Sequence, residues 1–260
     1  MKRFLNIILP PIVVFILVTI LLEAIVRIFG IAPYLLPPPS QVFRAMIDRR
    51  DDLAQSLLST TEAALTGFAL SAVIGILIAL LLSTSRLIQR AFYPYTVFFQ
   101  TVPIVAVAPL MVIWFGFGLK SVAISALLAS VFPVIANTLA GLLSTEPALR
   151  DLFKLYGASR TAILLKLKLP SALPNIITGL RIAAGLSVIG AIVGEFVAGV
   201  LERGAGLGIT VLVARKNGKT ADIFAAILVA SFLGMMMLAF INLAGYFLLR
   251  RWHASEQDKD

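Results

Sequence analysis

The chain has 260 residues, of which 60% are hydrophobic and only 13% charged, and its mean hydropathy is +0.99. Soluble domains are about 25% charged, so this composition excludes a soluble enzyme and indicates a membrane protein. The absence of cysteine excludes disulfides and thiolate chemistry, and the single histidine, His253, lies in a charged tail. The net charge of +9 comes from basic residues in short connections between apolar runs, so we expect neither a nucleic-acid partner nor a bound metal.

Six apolar runs are long enough to cross a bilayer, which takes about 20 helical residues. They cover approximately residues 6–28, 57–82, 91–115, 121–143, 173–200 and 223–249. The alternative for the first run is a cleaved signal peptide, but the run exceeds the usual ~7–15 apolar residues and no clear cleavage site follows it. The pattern predicts an all-α, polytopic membrane protein with six transmembrane helices, forming one domain over 1–260 with a core at about 57–249.

The distribution of lysine and arginine predicts the orientation of these helices. If the N-terminus is cytoplasmic, the inner connections hold the larger share of the 22 basic residues, and three acidic residues between 48 and 52 partly offset the outer ones. The sequence therefore predicts that both termini and the segment 144–172 face the cytoplasm.

Two connections are longer than a turn. In the outer one, three prolines are followed by Ser40, which we expect to be the N-cap of a short amphipathic helix on the membrane surface. The inner one, 144–172, has helical apolar spacing that predicts a helix over 148–157 with one apolar face, formed by Leu149, Leu152, Phe153 and Tyr156. Gly157 can adopt a positive φ and end that helix, and the chain is expected to re-enter the membrane after Pro170.

The inner segment resembles the cytoplasmic EAA loop of binding-protein-dependent ABC importer permeases. In that loop Glu-Ala-Ala is followed by Gly and then by Ile-x-Leu-Pro. Here Asp151 takes the place of Glu, Gly157 and Pro170 fall on their positions, and Leu152 and Phe153 replace the two alanines. The resemblance implies a coupling helix that docks on an ATPase. The alternative is an amphipathic helix that lies on lipid.

The resemblance extends over most of the chain. PPPSQV, TEAALTGF, QTVPIVAVAPLMVIWFGFG, FPVIANTLAGL, GASR, LPSALP, ITGLR, VGEFV and a final GLG occur in the order found in permeases of the nitrate, sulfonate, taurine and bicarbonate branch. Related permeases for pyrimidine-type vitamin precursors share much of this pattern. The resemblance therefore implies a small polar solute as cargo, either an anion or a pyrimidine-type precursor.

The resemblance also implies the partners. These are a second permease copy, cytoplasmic ABC ATPase subunits and an extracytoplasmic substrate-binding protein, assembled at a bacterial inner membrane. The phosphate-binding pattern G-x-x-x-x-G-K-[ST] is absent from the sequence. We therefore expect this chain to be no enzyme and to bind no cofactor, with ATP and Mg²⁺ held by the partner ATPase.

Ionisable and helix-breaking residues inside the apolar runs are candidates for the translocation path, because they are costly in lipid. Glu195 must find a donor on another helix, face a water-filled path or be protonated. Glu62 lies nearer the outer end of its run, where its carboxylate can reach the interface. Pro94, Pro103 and Pro109 are expected to kink or break the third run and free carbonyls that need a protein interior or a polar cavity. Gly190 and Gly194 form a Gly-x-x-x-Gly that predicts close helix packing.

Two other classes of membrane protein fit the composition. An ion-coupled secondary transporter usually has internal repeats and several intramembrane acids. An intramembrane protease needs paired aspartates, a Ser and His pair or a zinc motif within the membrane. The sequence has none of these patterns.

Overall fold

The computed structural model describes residues 2–199 and 204–249 of the chain, and for residues 2–8 only the backbone. These ranges fold into α-helices and one π-helical turn, Leu164–Lys168. The helices are α1 (Lys2–Ile28), α2 (Pro39–Asp48), α3 (Arg50–Leu82), α4 (Arg86–Gln100), α5 (Ile104–Phe115), α6 (Leu119–Leu143), α7 (Pro147–Leu155), α8 (Arg160–Ile163), α9 (Leu169–Ala198), α10 (Leu207–Lys216) and α11 (Thr220–Leu249). The predicted all-α class is confirmed.

Five stretches in the described ranges are long and apolar enough to cross a membrane as single helices. They are Leu9–Ile28, Arg50–Leu82, Leu119–Leu143, Arg160–Ala198 and Thr220–Leu249. A sixth span is reached if α4 and α5 together count as one, although they meet at an angle of 98°. The apolar run 91–115 is therefore a broken helix pair and not a straight helix.

The break in this pair lies at Pro103. Proline has no N–H and disfavours helical geometry in the residue before it, and Pro103 itself is extended, with φ −65° and ψ 117°. Pro94 and Pro109 lie inside α4 and α5 without ending them. Only one of the three prolines thus breaks the run.

The start of α2 differs from the prediction. The helix begins at Pro39, so Ser40 is its second residue and not the N-cap. The carboxylate of Glu23 in α1 takes the capping position, because its Oε2 accepts from the Ser40 N–H at 2.9 Å and its Oε1 from the Ser40 hydroxyl at 2.8 Å. A carboxylate at a helix N-terminus also interacts favourably with the helix dipole. This contact joins α1 to the rest of the chain.

The membrane helix that contains α9 begins earlier than predicted. A continuous helical path runs from Arg160 through the π-helical turn to Ala198, so the chain turns back ten residues before Pro170. A π-helical turn lets a helix accommodate a proline, because the hydrogen-bond register changes before the missing donor. The helix ends at Gly199, where φ is +72°; residue 200, the predicted end, lies outside the described residues.

Small residues let α6, α9 and α3 approach closely. A Cβ on Gly190 would lie 2.8 Å from Ala126 Cα of α6, and one on Gly194 would lie 3.0 Å from Val122 Cα. Neither position has room for a side chain, so the close packing predicted from Gly-x-x-x-Gly is confirmed. The core of the bundle is formed by α6 and α9, with α3 against both.

Candidate functional site

The inner connection presents α7 as a separate short helix. It covers Pro147–Leu155, one residue earlier at its start and two residues earlier at its end than predicted. None of its residues is buried. A nine-residue helix is marginally stable by itself, so α7 depends on its caps and on whatever covers its surface.

Gly157 ends the helix as predicted. Its φ is +72°, its N–H donates to the Lys154 carbonyl at 2.9 Å, and the Ala158 N–H donates to the Phe153 carbonyl at 3.0 Å. These two bonds form a Schellman cap, in which glycine avoids the steric cost of a Cβ in the left-handed region. The direction in which the chain leaves α7 is therefore fixed by Gly157.

The predicted apolar face of α7 is largely uncovered within the described parts of the chain. Leu149 is 42% exposed, Leu152 45% and Tyr156 84%, while Phe153 is half-buried. Leu155, which the sequence analysis did not single out, is 85% exposed. An apolar face of this kind is typical of a surface that another molecule covers.

The other two residues predicted for the coupling loop, Asp151 and Pro170, lie on different helices. Asp151 forms an exposed ion pair with Lys154 of the same helix, with 2.9 Å between Oδ1 and Nζ. The hydrogen bond from Lys154 lowers the pKa of this carboxyl below its ordinary value, and the charge of Lys154 adds to the effect. Pro170 lies in the first turn of α9 and is not part of the exposed helix.

Glu195 is fully buried where α3, α9 and α10 meet. The Thr60 hydroxyl of α3 donates to its Oε1 at 2.8 Å, and the Gly208 N–H of α10 donates to its Oε2 at 2.7 Å. Thr60 in turn accepts from the Leu207 N–H at 2.8 Å. Glu195 therefore finds its donors on other helices, which is one of the three environments expected from the sequence. Its carboxylate links α9, on which it lies, to α3 and α10.

The two glycines of the GLG motif are required by this carboxylate. Gly206 is the N-cap of α10, and a Cβ on it would overlap Glu195 Oε1; a Cβ on Gly208 would lie 2.9 Å from Oε2 and 2.8 Å from the Ile192 carbonyl. The motif starts a helix whose first N–H groups bond to Thr60 and Glu195. Anionic groups at a helix N-terminus stabilise it through these donors and the helix dipole.

A polar cavity of about 200 Å³ lies beside this junction, between α3, α10 and the start of α11. On one side the Ser56 and Thr210 hydroxyls are 2.9 Å apart. On the other, Arg49 Nε lies 2.9 Å from Oδ2 of Asp222, a residue that is 9% exposed. Asp52, Gln55, Asn217 and Lys219 also line it. The cavity presents both signs of charge together with amides and hydroxyls.

The other path candidates lie apart from this junction. Glu62 is half-buried on α3, and the two residues that separate it from Thr60 turn the helix by about 200°. Pro103 is the exposed N-cap of α5, and Pro109 is exposed in the middle of that helix. The structure brings Glu195 together with Thr60 and Gly208 but not with Pro103 or Pro109.

Sequence reasoning missed Thr60, Ser56 and Thr210. Buried hydroxyls in membrane helices usually bond to the carbonyl one turn earlier, and nothing in the sequence distinguishes Thr60 from such residues. The GLG motif was the available signal, because two glycines around a leucine at a helix start indicate a close approach.

Known proteins resemble this chain over most of its length. Residues 71–254 match the family described as "Binding-protein-dependent transport system inner membrane component". The formylaminopyrimidine transport permease protein ThiX of Halalkalibacterium halodurans is 38% identical over 235 residues, which is 90% of this chain and 92% of that protein. The riboflavin transport system permease protein RibX of Chloroflexus aurantiacus is 34% identical, covering 90% and 86% of the two chains.

A putative aliphatic sulfonates transport permease protein, SsuC of Bacillus subtilis, is 30% identical over 85% of this chain and 79% of its own length. Among solved structures, the MetNI methionine ABC transporter in an inward facing conformation superposes with a TM-score of 0.63. The superposition covers 77% of this chain and 96% of that one. Because the two chains are 19% identical, it shows that they share a fold.

Proposed function

The chain belongs to the binding-protein-dependent transport system inner membrane components, and we propose that it forms the membrane path of an importer driven by ATP hydrolysis on a separate chain. It is a multi-pass ABC importer permease subunit, so the family predicted from its motifs is confirmed. The partners, the orientation and the cargo are the parts that we propose.

The exposed apolar face of α7 carries this proposal. Leu152 and Tyr156 are 45% and 84% exposed on a helix whose exit is fixed by the Gly157 cap. A short helix with a rigid cap and an apolar face is suited to insertion into a groove on another protein. We assign that groove to a cytoplasmic ABC ATPase, which binds ATP and Mg²⁺.

The coupling follows from the chain connections of α7. The helix lies between α6 and the long membrane helix Arg160–Ala198, which together form the centre of the bundle. A displacement of α7 by the ATPase is therefore transmitted to both helices. In this proposal α7 and both termini are cytoplasmic, and closure of the ATPase pair opens the path to the outer side.

The outer side of the path contains the polar cavity beside α10. We propose that an extracytoplasmic binding protein delivers solute there, and that a second permease copy completes the path. The Glu195 and Thr60 hydrogen bonds fix α10, and α10 supplies Thr210 to the cavity. Glu195 thus acts through the position of α10 and does not need to contact the solute.

We propose a nitrogen heterocycle of the pyrimidine type as cargo. The relatives at 38% and 34% identity are named for formylaminopyrimidine and riboflavin, and the one at 30% for aliphatic sulfonates. The cavity has Asp52 and Asp222 beside Arg49 and Lys219. Such mixed charge and amide groups suit a neutral heterocycle with donors and acceptors better than a simple anion. A sulfonate-type anion is the second candidate.

Reconstituted uptake tests the proposal. The permease, co-expressed with a partner ABC ATPase and binding protein from the same organism, is placed in vesicles and supplied with labelled formylaminopyrimidine or taurine. We expect ATP-dependent uptake of the pyrimidine and weak competition by taurine. Uptake of taurine in preference to the pyrimidine would contradict the cargo, and uptake unaffected by ATP would contradict the coupling.

A further inference from the structure

A second cavity, of about 310 Å³, lies at the base of α7 on the opposite end of the bundle from the polar cavity. Its walls come from the C-terminal end of α3, from α7 and from the start of the Arg160–Ala198 helix. Its basic residues are Arg150, Lys154, Arg160 and Lys168. No acidic residue from the described ranges lines it.

The charges in this cavity are only partly compensated. Lys154 has Asp151 as an ion-pair partner at 2.9 Å. The Nε of Arg150 is buried and has no hydrogen-bond partner among the described residues. Lys168 Nζ donates to the Ser83 carbonyl at 3.3 Å and has no ion-pair partner in the part of the chain that the structure describes, and its charge interacts with that of Arg150. Clustered like charges destabilise a fold unless an anion neutralises them.

We place this cavity near the lipid headgroups, on the side that the orientation proposed above assigns to the cytoplasm. Ser83 and Thr84 follow the last residue of α3, and Arg160 is the first residue of a membrane helix, so the cavity is at the ends of two spans. Thr84 and Thr161 also line the cavity, but the Thr84 hydroxyl donates to the Leu81 carbonyl at 2.6 Å and the Thr161 hydroxyl bonds to that of Ser159 at 3.0 Å, so the donors for a ligand come from the basic side chains. Basic pockets between membrane helices at this depth on the cytoplasmic side suit lipid phosphate groups.

We propose that this cavity binds a phosphate group, supplied by an anionic phospholipid or by free phosphate. Phosphate has several acceptor oxygens, which suit the guanidinium groups of Arg150 and Arg160 and the ammonium groups of Lys154 and Lys168 in this lining. A bound phosphate joins the base of α7 to the ends of α3 and of the Arg160–Ala198 helix. The site does not involve the cargo.

Titration of the purified full chain with dioleoyl phosphatidylglycerol, followed by native mass spectrometry, tests this site. Phosphatidylcholine and inorganic phosphate are the comparison ligands. We expect phosphatidylglycerol to bind more tightly than phosphatidylcholine, and Lys168→Gln to weaken it on the order of tenfold, as loss of one charge-assisted hydrogen bond does. Arg90→Gln, which removes an exposed charge of α4, is the matched control and should leave binding unchanged.

The comparison ligands distinguish a phospholipid headgroup from free phosphate as the source of the bound phosphate group. If millimolar inorganic phosphate displaces the lipid, free phosphate is a sufficient ligand. If it does not, the ligand is the lipid headgroup. Arg150→Gln repeats the test at a second position if Lys168→Gln does not give a monodisperse protein. Equal phosphatidylglycerol binding by the wild type and both variants would overturn the site. Loss of the ATPase in Lys168→Gln with unchanged binding of both anions would assign the cations to the ATPase and would also overturn it.

Discussion

Thr60 and Glu195 are 135 residues apart in the chain and are joined by a 2.8 Å hydrogen bond in a fully buried position. The same Thr60 hydroxyl accepts from the Leu207 N–H, so one side chain connects a carboxylate of α9 to the first turn of α10. Because a hydroxyl is both donor and acceptor, Thr60 is suited to this position in a way that an aliphatic residue of the same shape is not.

Replacing Thr60 with valine should destabilise the protein by about 1–3 kcal/mol for each buried group left without a partner. The change keeps the volume and removes both bonds. Thr66→Val is the control, because the exposed Thr66 hydroxyl bonds to the Glu62 carbonyl of its own helix and not to another helix among the described residues. Thermal unfolding in detergent measures the difference, and equal stability of the two variants would contradict the role of Thr60.

Changes at Glu195 should be graded by the bonds that they keep. In Glu195→Gln one oxygen still accepts, so we expect a loss of about 0.5–1.5 kcal/mol, with the ATPase still bound and uptake altered. Glu195→Ala leaves the Gly208 N–H and the Thr60 hydroxyl unsatisfied and should cost more. Stability and uptake are measured together; uptake lost in Glu195→Gln at unchanged stability would instead indicate direct contact with the solute.

A side chain at Gly206 should disrupt the same junction, because its Cβ would overlap Glu195 Oε1. We expect Gly206→Ala to lower both the unfolding temperature and uptake. Gly234→Ala is the control, since a Cβ there meets no atom within 4 Å. Shortening the acid in Gly206→Ala with Glu195→Asp should recover part of the loss, with a coupling of about 0.5–3 kcal/mol. If the stability losses of Gly206→Ala and Glu195→Asp simply add in the double variant, the contact between these two positions would be contradicted.

The orientation can be tested in a chain that has no natural cysteine. Arg160→Cys, at the base of α7, should resist a membrane-impermeant thiol reagent in intact cells. Arg215→Cys, near the end of α10, should react with it. The reverse pattern of labelling would invert the proposed topology.

Local sequence patterns predicted the features of this fold that depend on composition and on single residues. The apolar runs gave the membrane spans, and the spacing from Leu149 to Tyr156 with Gly157 predicted α7 and its end. Glycine at a left-handed position and apolar spacing act over a few residues, so the sequence displays them directly.

The features that were missed depend on residues far apart in the chain. Ser40 was expected to cap α2, but the carboxylate of Glu23 reaches it from 17 residues upstream and replaces the cap. The partners of Glu195 lie on α3 and α10, and only the packing of three helices brings them together. The sequence predicted a kink or break at any of three prolines. It did not show that the chain breaks at Pro103 while Pro94 and Pro109 lie inside helices.

The predicted tail beyond residue 249, with His253, lies outside the described residues. We expect this tail to be cytoplasmic, and the cysteine variants at Arg160 and Arg215 test the orientation on which that expectation depends.

Coupling through α7 is the central claim, and uptake by the reconstituted complex with a charge placed on that helix tests it most directly. Leu152→Asp puts a charge on the apolar face of α7, at a leucine that is 45% exposed, and Leu87→Asp makes the same change at a 78% exposed leucine of α4. Burying an unpaired charge in an interface costs several kcal/mol. We therefore expect Leu152→Asp to lose the co-purifying ATPase and ATP-dependent uptake while Leu87→Asp keeps both. Wild-type uptake by Leu152→Asp, or uptake driven by an ion gradient without ATP, would contradict the account.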